Sequence, residues 1–192
     1  MKTSNKTLAL ILGITALSLN ADAQEKIVGG QNNIIYSIGI GAGISTGEFE
    51  DLNKWHIGGS LQADIPIAKK LYVTVNAGYA NFFGNNDGYG PNKPATDIHL
   101  LPVKVGLKYF PLPHFYVQGE AGAGFLLNRS DLGYDKSAAF VYGPQVGIQF
   151  PVGEKSYIDA GARYERSTDY NDFGTDSKIN YFGLRVSYAF AL

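Results

Sequence analysis

Apolar and polar residues alternate with a period of two along most of the chain, which is the spacing of strands rather than helices. Residues 34–44 place Tyr36, Ile38, Ile40, Ala42 and Ile44 on one face and Ser37, Gly39, Gly41 and Gly43 on the other. The same two-faced pattern recurs at 55–65, 71–79, 99–109, 115–127, 140–150, 157–165 and 182–190. These eight segments are about ten residues each, the length of a tilted strand that crosses a bilayer. The connectors alternate as well. Short ones at 66–70, 110–114 and 151–156 are interleaved with longer polar ones at 45–54, 81–97, 129–138 and 166–178.

Alternation alone does not say which face points inward. A soluble barrel turns its polar face to water, and a membrane barrel turns it to the lumen. The charges decide. Four acids (Asp64, Glu120, Asp159, Glu165) and four bases (Lys104, Lys108, Arg163, Arg185) lie on the polar faces, and none lies on the apolar faces. A cationic side chain at the lipid midplane costs roughly 2–4 kcal/mol, so a wall free of charge is the face expected against lipid. The polar face is lean for a soluble exterior, being mostly Gly, Ser, Gln and Asn. Large rings cluster near strand ends on the apolar face: Trp55, Tyr79, Tyr109, Phe115, Phe140, Phe150, Tyr164, Phe182 and Phe190. They have the placement of aromatic girdles at the two membrane interfaces. The expected fold is therefore all-β: an eight-stranded antiparallel up-and-down transmembrane β-barrel with short periplasmic turns and four longer extracellular loops. An even strand count puts both ends of the barrel on the periplasmic side.

The N-terminus points to export. MKTSNK carries two lysines, residues 8–19 are apolar but too short to span a bilayer, and Ala21 and Ala23 offer the small residues a signal peptidase reads. Residues 1–23 read as a cleaved signal peptide, 24–33 as an N-terminal periplasmic segment and 34–192 as the barrel domain. Later segments fall short of the ~20 continuous apolar residues of a membrane helix. The 192 residues carry no cysteine and a net charge of −1. That excludes a disulfide framework, a thiol nucleophile and a lipid-anchored lipoprotein, and the balance gives no reason to expect nucleic acid as a partner.

Two segments carry a family likeness: the strand and turn LLPVKVGLKYFPLP and the aromatic-ended closing strand NYFGLRVSYAFAL. With the eight-strand pattern of the whole mature chain they resemble the small outer-membrane proteins of the OmpA/OmpX type. These belong to the outer membrane protein beta-barrel domain family, in the stand-alone form common in Bacteroidetes-like Gram-negative bacteria. The resemblance implies a monomer in the cell outer membrane. Its implied partners are outer-membrane lipids, lipopolysaccharide and, during biogenesis, the barrel-assembly machinery. The family's closing strand usually ends on an aromatic residue, whereas here Phe190 is followed by Ala191 and Leu192.

The candidate chemistry lies in the lumen. If the turn pairs Phe115 near Tyr109, Lys104 stands almost directly opposite Glu120 and Lys108 opposite Tyr116, at cross-strand distances of ~5 Å. Arg163 and Arg185 need acids, with Asp159, Glu165 and Glu120 as candidates. Because an eight-stranded barrel is just filled by its side chains, the first reading is a polar plug with a structural or interaction role through the loops. A narrow porin-like channel for water, ions or small solutes is the alternative, and an outer-membrane enzyme or lipid-binding barrel the third. Enzyme signals are weak. His56, His99 and His114 have no metal-ligand spacing, and Asp64 lies about 26 Å along the same strand from His56. No cofactor or metal is expected. The glycine runs 39–43 and 119–124 lack a following helix, and in DYNDFGTD (169–176) Phe173 occupies a calcium-ligand position. Loop acids outnumber loop bases ten to six. The loop rings Phe49, Phe82, Phe83, Tyr89, Tyr134, Tyr170 and Phe173 suit either a binding surface or the outer lipid boundary. For the exported protein, N-terminal sequencing is expected to begin at Gln24; a chain retaining residues 8–19 would refute the cleavage assignment.

Overall fold

The computed structural model describes residues 33–91, 93–171 and 177–192. The signal-peptide residues Ala21 and Ala23, nearly all of the periplasmic segment and Phe173 lie outside them. Eight strands run in sequence order: β1 (Ile35–Ser45), β2 (Asn53–Ala68), β3 (Leu71–Gly84), β4 (Ile98–Tyr109), β5 (Phe115–Leu126), β6 (Ala138–Pro151), β7 (Ser156–Ser167) and β8 (Asn180–Ala191). All neighbours pair antiparallel, and β1 closes on β8 from Ile35↔Ala191 to Ser45↔Tyr181. Closure removes every sheet edge, the condition for a strand protein to cross a bilayer, because lipid offers no partner to a free N–H or C=O. The longer connectors carry two single-turn helices, α1 (Phe49–Leu52) and α2 (Arg129–Leu132).

The strands outrun the alternating segments read from sequence. β2 and β3 extend until only Lys69 and Lys70 join them, with Lys70 in the left-handed region at φ 68°. β7 extends to Ser167, which brings Arg166 onto the outer parity of the wall at its extracellular end.

Burial runs opposite to that of a soluble protein. Ile40 and Leu184 are 72% and 68% exposed on the outer wall, while Lys108 and Asp159 are each 1% exposed inside. Such a molecule is stable only where hydrocarbon covers the wall. Two prolines sit inside strands. The β3–β4 ladder passes from Ala77↔Val103 to Ala80↔Leu100, skipping Pro102, and the β6–β7 ladder passes from Tyr142↔Arg166 to Gln145↔Arg163, skipping Pro144. Proline has no N–H to donate, and both prolines keep cross-strand partners on their other side, Gly124 and Gly119. The barrel predicts heat-modifiable mobility: an unboiled sample in detergent is expected to migrate differently from a boiled one on a gel. A detergent-free soluble monomer would refute it.

Candidate functional site in the barrel lumen

The inward side chains form tiers. In the tier nearer the periplasm the Lys108 ammonium stands 3.0 Å from Asp64 and 3.2 Å from Asp159, and 4.1 Å from the centre of the Tyr116 ring. The Tyr116 hydroxyl donates to Asp159 at 3.0 Å and accepts from Gln145 Nε2 at 2.7 Å. Asp64 accepts from Gln62 Nε2 at 2.6 Å, and Gln62 accepts from Asn76 Nδ2 at 3.0 Å. Arg185 lies 3.6 Å from Asp159 and donates to Ser60 Oγ and Ser37 Oγ, each at 3.0 Å. Two acids and two bases make this tier neutral. Tyr116 lies flat across Gly147 and Gly161, where added methyl groups would fall on the ring and its hydroxyl. Glycine is required there by that close approach.

The second tier is centred on Lys104, which pairs with Glu120 at 3.1 Å and with Glu165. Arg163 lies within Coulombic reach of Glu165 and Glu120, so this tier too is formally neutral. The ion pair expected between Lys104 and Glu120 forms, but not by direct opposition. Tyr109 pairs with Val117, so Lys104 faces Gly122, Glu120 faces Gly106, and Lys108 faces Gln118 rather than Tyr116. The ladder is offset by two residues because Phe110 turns into the barrel mouth instead of extending β4. Lys104 therefore reaches Glu120 along the diagonal, and Lys108 lies diagonally over Tyr116.

Apolar layers close both ends. At the periplasmic end Ile35, Tyr72, Phe110, Tyr116 and Tyr157 pack together, with Phe110 5.8 Å from Tyr72 and 5.7 Å from Tyr116 between ring centres. At the extracellular end Phe49, Phe82, Ile98, Leu100, Leu126, Tyr170, Ile179 and Tyr181 form a cap. Three rings expected at the loop surface or lipid boundary, Phe49, Phe82 and Tyr170, are thus interior. Phe82 and the periplasmic ring Tyr72 have lumen parity in sequence, so inward rings at strand ends were the available signal; Phe110 had none. Phe83 stacks on Trp55 outside, at 4.1 Å between ring centres, and Tyr89 is exposed. Burial raises the hydroxyl pKa of Tyr170 and Tyr134, and Tyr170 donates to the Gly124 carbonyl at 3.1 Å.

The nine rings named for the girdles, Trp55, Tyr79, Tyr109, Phe115, Phe140, Phe150, Tyr164, Phe182 and Phe190, all have the outward parity of their strands. The histidines are dispersed. His56 packs between Phe82 and Tyr181, His99 Nδ1 meets the Tyr79 hydroxyl at 2.7 Å, and His114 lies beside Phe150. Asp64 is committed to Lys108, so His56 and Asp64 are not brought together. Among the described residues no group of three His, Cys, Asp or Glu could hold a metal.

A closed sheet, an apolar outer wall and a lumen that neutralises its own charges define an outer-membrane β-barrel protein. The chain belongs to the outer membrane protein beta-barrel domain family, whose profile matches residues 8–190. Among solved structures it is similar to Ail, the attachment invasion locus protein of Yersinia pestis, with 21% identity over 83% of this chain and 100% of that one, and a TM-score of 0.53. OprG of Pseudomonas aeruginosa gives 13% identity, 87% and 99% coverage and a TM-score of 0.51. The outer membrane protein AlkL gives 16%, 90%, 95% and 0.52. At such identities the likeness shows the fold. No curated protein matches the chain.

Removing one member of a dry ion cluster strands its partners. Lys108→Met is expected to cost ~3–5 kcal/mol in reversible urea unfolding from lipid or detergent. Adding Asp64→Asn should restore part of that loss, as coupled neighbours do. A loss below ~1 kcal/mol, the range of water-exposed pairs, would show a hydrated lumen instead.

Proposed function

We propose that this protein is a closed, monomeric outer-membrane barrel whose lumen is a structural plug and whose working surface is the set of four extracellular loops. The observation that carries the reading is the stacking of two neutral ion tiers between two apolar layers, which leaves no continuous polar path along the axis. Lys104 and Lys108 each contact two carboxylates. Opening a path would require both tiers to exchange partners, each at the expense of leaving charges unpaired.

The loops support a display role by being tied to one another. Thr46 N–H donates to Asn180 O at 2.9 Å, Asn85 Nδ2 to Asp51 O at 3.1 Å and Lys136 N–H to Tyr170 O at 2.9 Å. Asn128 Nδ2 donates to Asp97 O at 2.7 Å, and Asp97 in turn accepts from Gly84 N–H at 2.8 Å. The Gly84–Asp97 bond closes the β3–β4 connector on itself, the others reach between neighbouring loops or strand ends, and together they fix the shape of the rim. The outward rings suit the two interfaces of the bilayer, and Arg166 stands at the extracellular edge of the wall, where anionic headgroups of outer-membrane lipid or lipopolysaccharide would meet it. Export by the signal peptide and insertion by the barrel-assembly machinery complete the reading.

Planar-bilayer recording tests the plug. The wild-type protein is expected to give no conductance above the bare-membrane baseline, and Glu120→Ala, which weakens one tier, is expected to raise it. Steady wild-type conductance that changes with Glu120→Ala would overturn the plug in favour of a narrow channel.

A further inference from the structure

Lys54 and Arg166 are the two strand cations that do not face the lumen, and both are exposed at the extracellular edge of the wall. Lys54 points out because of a bulge. The β2–β3 ladder shifts between Asn53 and Trp55, so Asn53 is buried while Lys54 and Trp55 are both exposed. An extra residue in a strand re-aims its side chains in this way. Arg166 keeps the ordinary outward parity of β7. Its neighbour Glu165 faces inward to Lys104, and Asp169 holds Lys178 at 3.5 Å. Neither Lys54 nor Arg166 makes an ion pair or a side-chain hydrogen bond among the described residues. The outer faces of β3 and β4 near the same rim carry Tyr79, Asn81 and His99 instead.

The ladders put the two cations on one stretch of wall. A row of large side chains crosses four strands through the pairs Tyr164↔Phe182, Phe182↔Ile44 and Ile44↔Trp55. The cations stand just above its two ends. Aromatic rings mark the membrane–water interface, so Lys54 and Arg166 lie at headgroup depth. The next outward row runs Ala162↔Leu184, Leu184↔Ala42 and Ala42↔Ile57. Its two alanines leave a trough. One hollow of about 670 Å³ lies against Val146, Ala162, Phe182, Leu184 and Ala42, and one of about 250 Å³ lies against Ile40, Ala42, Ile57 and Leu184. The two adjoin at Ala42 and Leu184. At about 30 Å³ for a water-sized group, the trough takes tens of such groups, the scale of acyl chains rather than of a small solute.

We propose that this face of the barrel holds one phosphorylated glycolipid of the outer leaflet, its phosphates on Lys54 and Arg166 and its acyl chains in the trough. The proposal deepens the lipid contact read from Arg166 and does not depend on the plug. Charge selects an acidic lipid, because a zwitterionic headgroup brings its own cation to the same place. Span selects the headgroup. Lys54 and Arg166 are three strand spacings apart, ~14 Å along the wall. Two phosphates on a sugar-sized frame bridge that gap, whereas a single phosphate meets both cations only if both side chains lean fully across. Guanidinium and ammonium groups are the phosphate-binding side chains. Such a lipid would clamp the seam where β1 closes on β8.

Native mass spectrometry of the folded protein released from detergent tests this with three lipids: lipid A carrying two phosphates, its dephosphorylated form, and diacyl phosphatidic acid. The wild-type protein is expected to retain one copy of lipid A, at least about tenfold more tightly than either of the others, the scale of two cations near an anionic surface. In the double variant Lys54→Gln, Arg166→Gln that preference is expected to vanish. Ala42→Leu with Ala162→Leu, checked for folding by heat-modifiable mobility, is expected to weaken the phosphorylated and dephosphorylated forms alike by filling the trough. Equal retention of the two forms by the wild-type protein, or a preference that survives loss of both cations, would overturn the site. Phosphatidic acid held as tightly as lipid A would overturn the glycolipid, and retention unchanged by the two leucines would overturn the trough. Planar-bilayer conductance reads the plug separately, since a conducting barrel can hold lipid on its outer wall.

Discussion

Everything in this structure depends on one constraint: hydrocarbon accepts neither an unpaired peptide group nor an unpaired charge. The backbone half of that constraint closes the sheet, with β1 bonded to β8 along its whole length. The side-chain half sends every strand charge inward except Lys54 and Arg166, which sit at the extracellular ends of β2 and β7. An eight-stranded barrel has room inside for little beyond its own side chains. Charges that cannot reach lipid or bulk water must then neutralise one another. Hence the lumen holds Lys104 between Glu120 and Glu165, and Lys108 between Asp64 and Asp159.

The apolar layers explain why this arrangement is a plug and not a wet polar channel. Phe110, Tyr72 and Tyr157 exclude water below the ion tiers, and Phe82, Tyr170 and Tyr181 exclude it above. A low local dielectric strengthens each ion pair and raises the cost of breaking one. Tyr116 links the two kinds of layer. Its ring packs on Phe110 and under the Lys108 ammonium, while its hydroxyl enters the network through Asp159 and Gln145. It can lie that way only because Gly147 and Gly161 give it a flat floor.

The fold and the inward parity of all eight charges were legible in sequence because both follow from a period of two, which a strand cannot disguise. What was not legible was anything set by stagger. The partner of Lys104 was named but its geometry was not, since the turn that contains Phe110 shifts the β4–β5 register by two residues. Pairs across the lumen, such as Lys108 with Asp159 on β7, depend on barrel tilt, which no local pattern encodes. The loop rings were ambiguous because sequence counts Phe82 as a residue beyond the strand. In three dimensions β3 continues to Gly84, and the parity of that longer strand turns Phe82 inward.

Arg163 shows that neutrality by count is not neutrality by contact. Four acids and four bases share the lumen, and Lys104 and Lys108 each sit between two acids. Arg185 recovers through two serines and a longer approach to Asp159. Arg163, on the neighbouring strand and nearer the cap, is paired in the ladder with Gln145 and Gly183, neither of which bears a charge. A compact ammonium collects carboxylates around a point, whereas a guanidinium needs acceptors spread in its plane. Lys104 meets one oxygen of Glu120 and one of Glu165 and leaves the Oε1 of each without a hydrogen-bond partner, so Arg163 is balanced by the field of the two carboxylates rather than by contact with them.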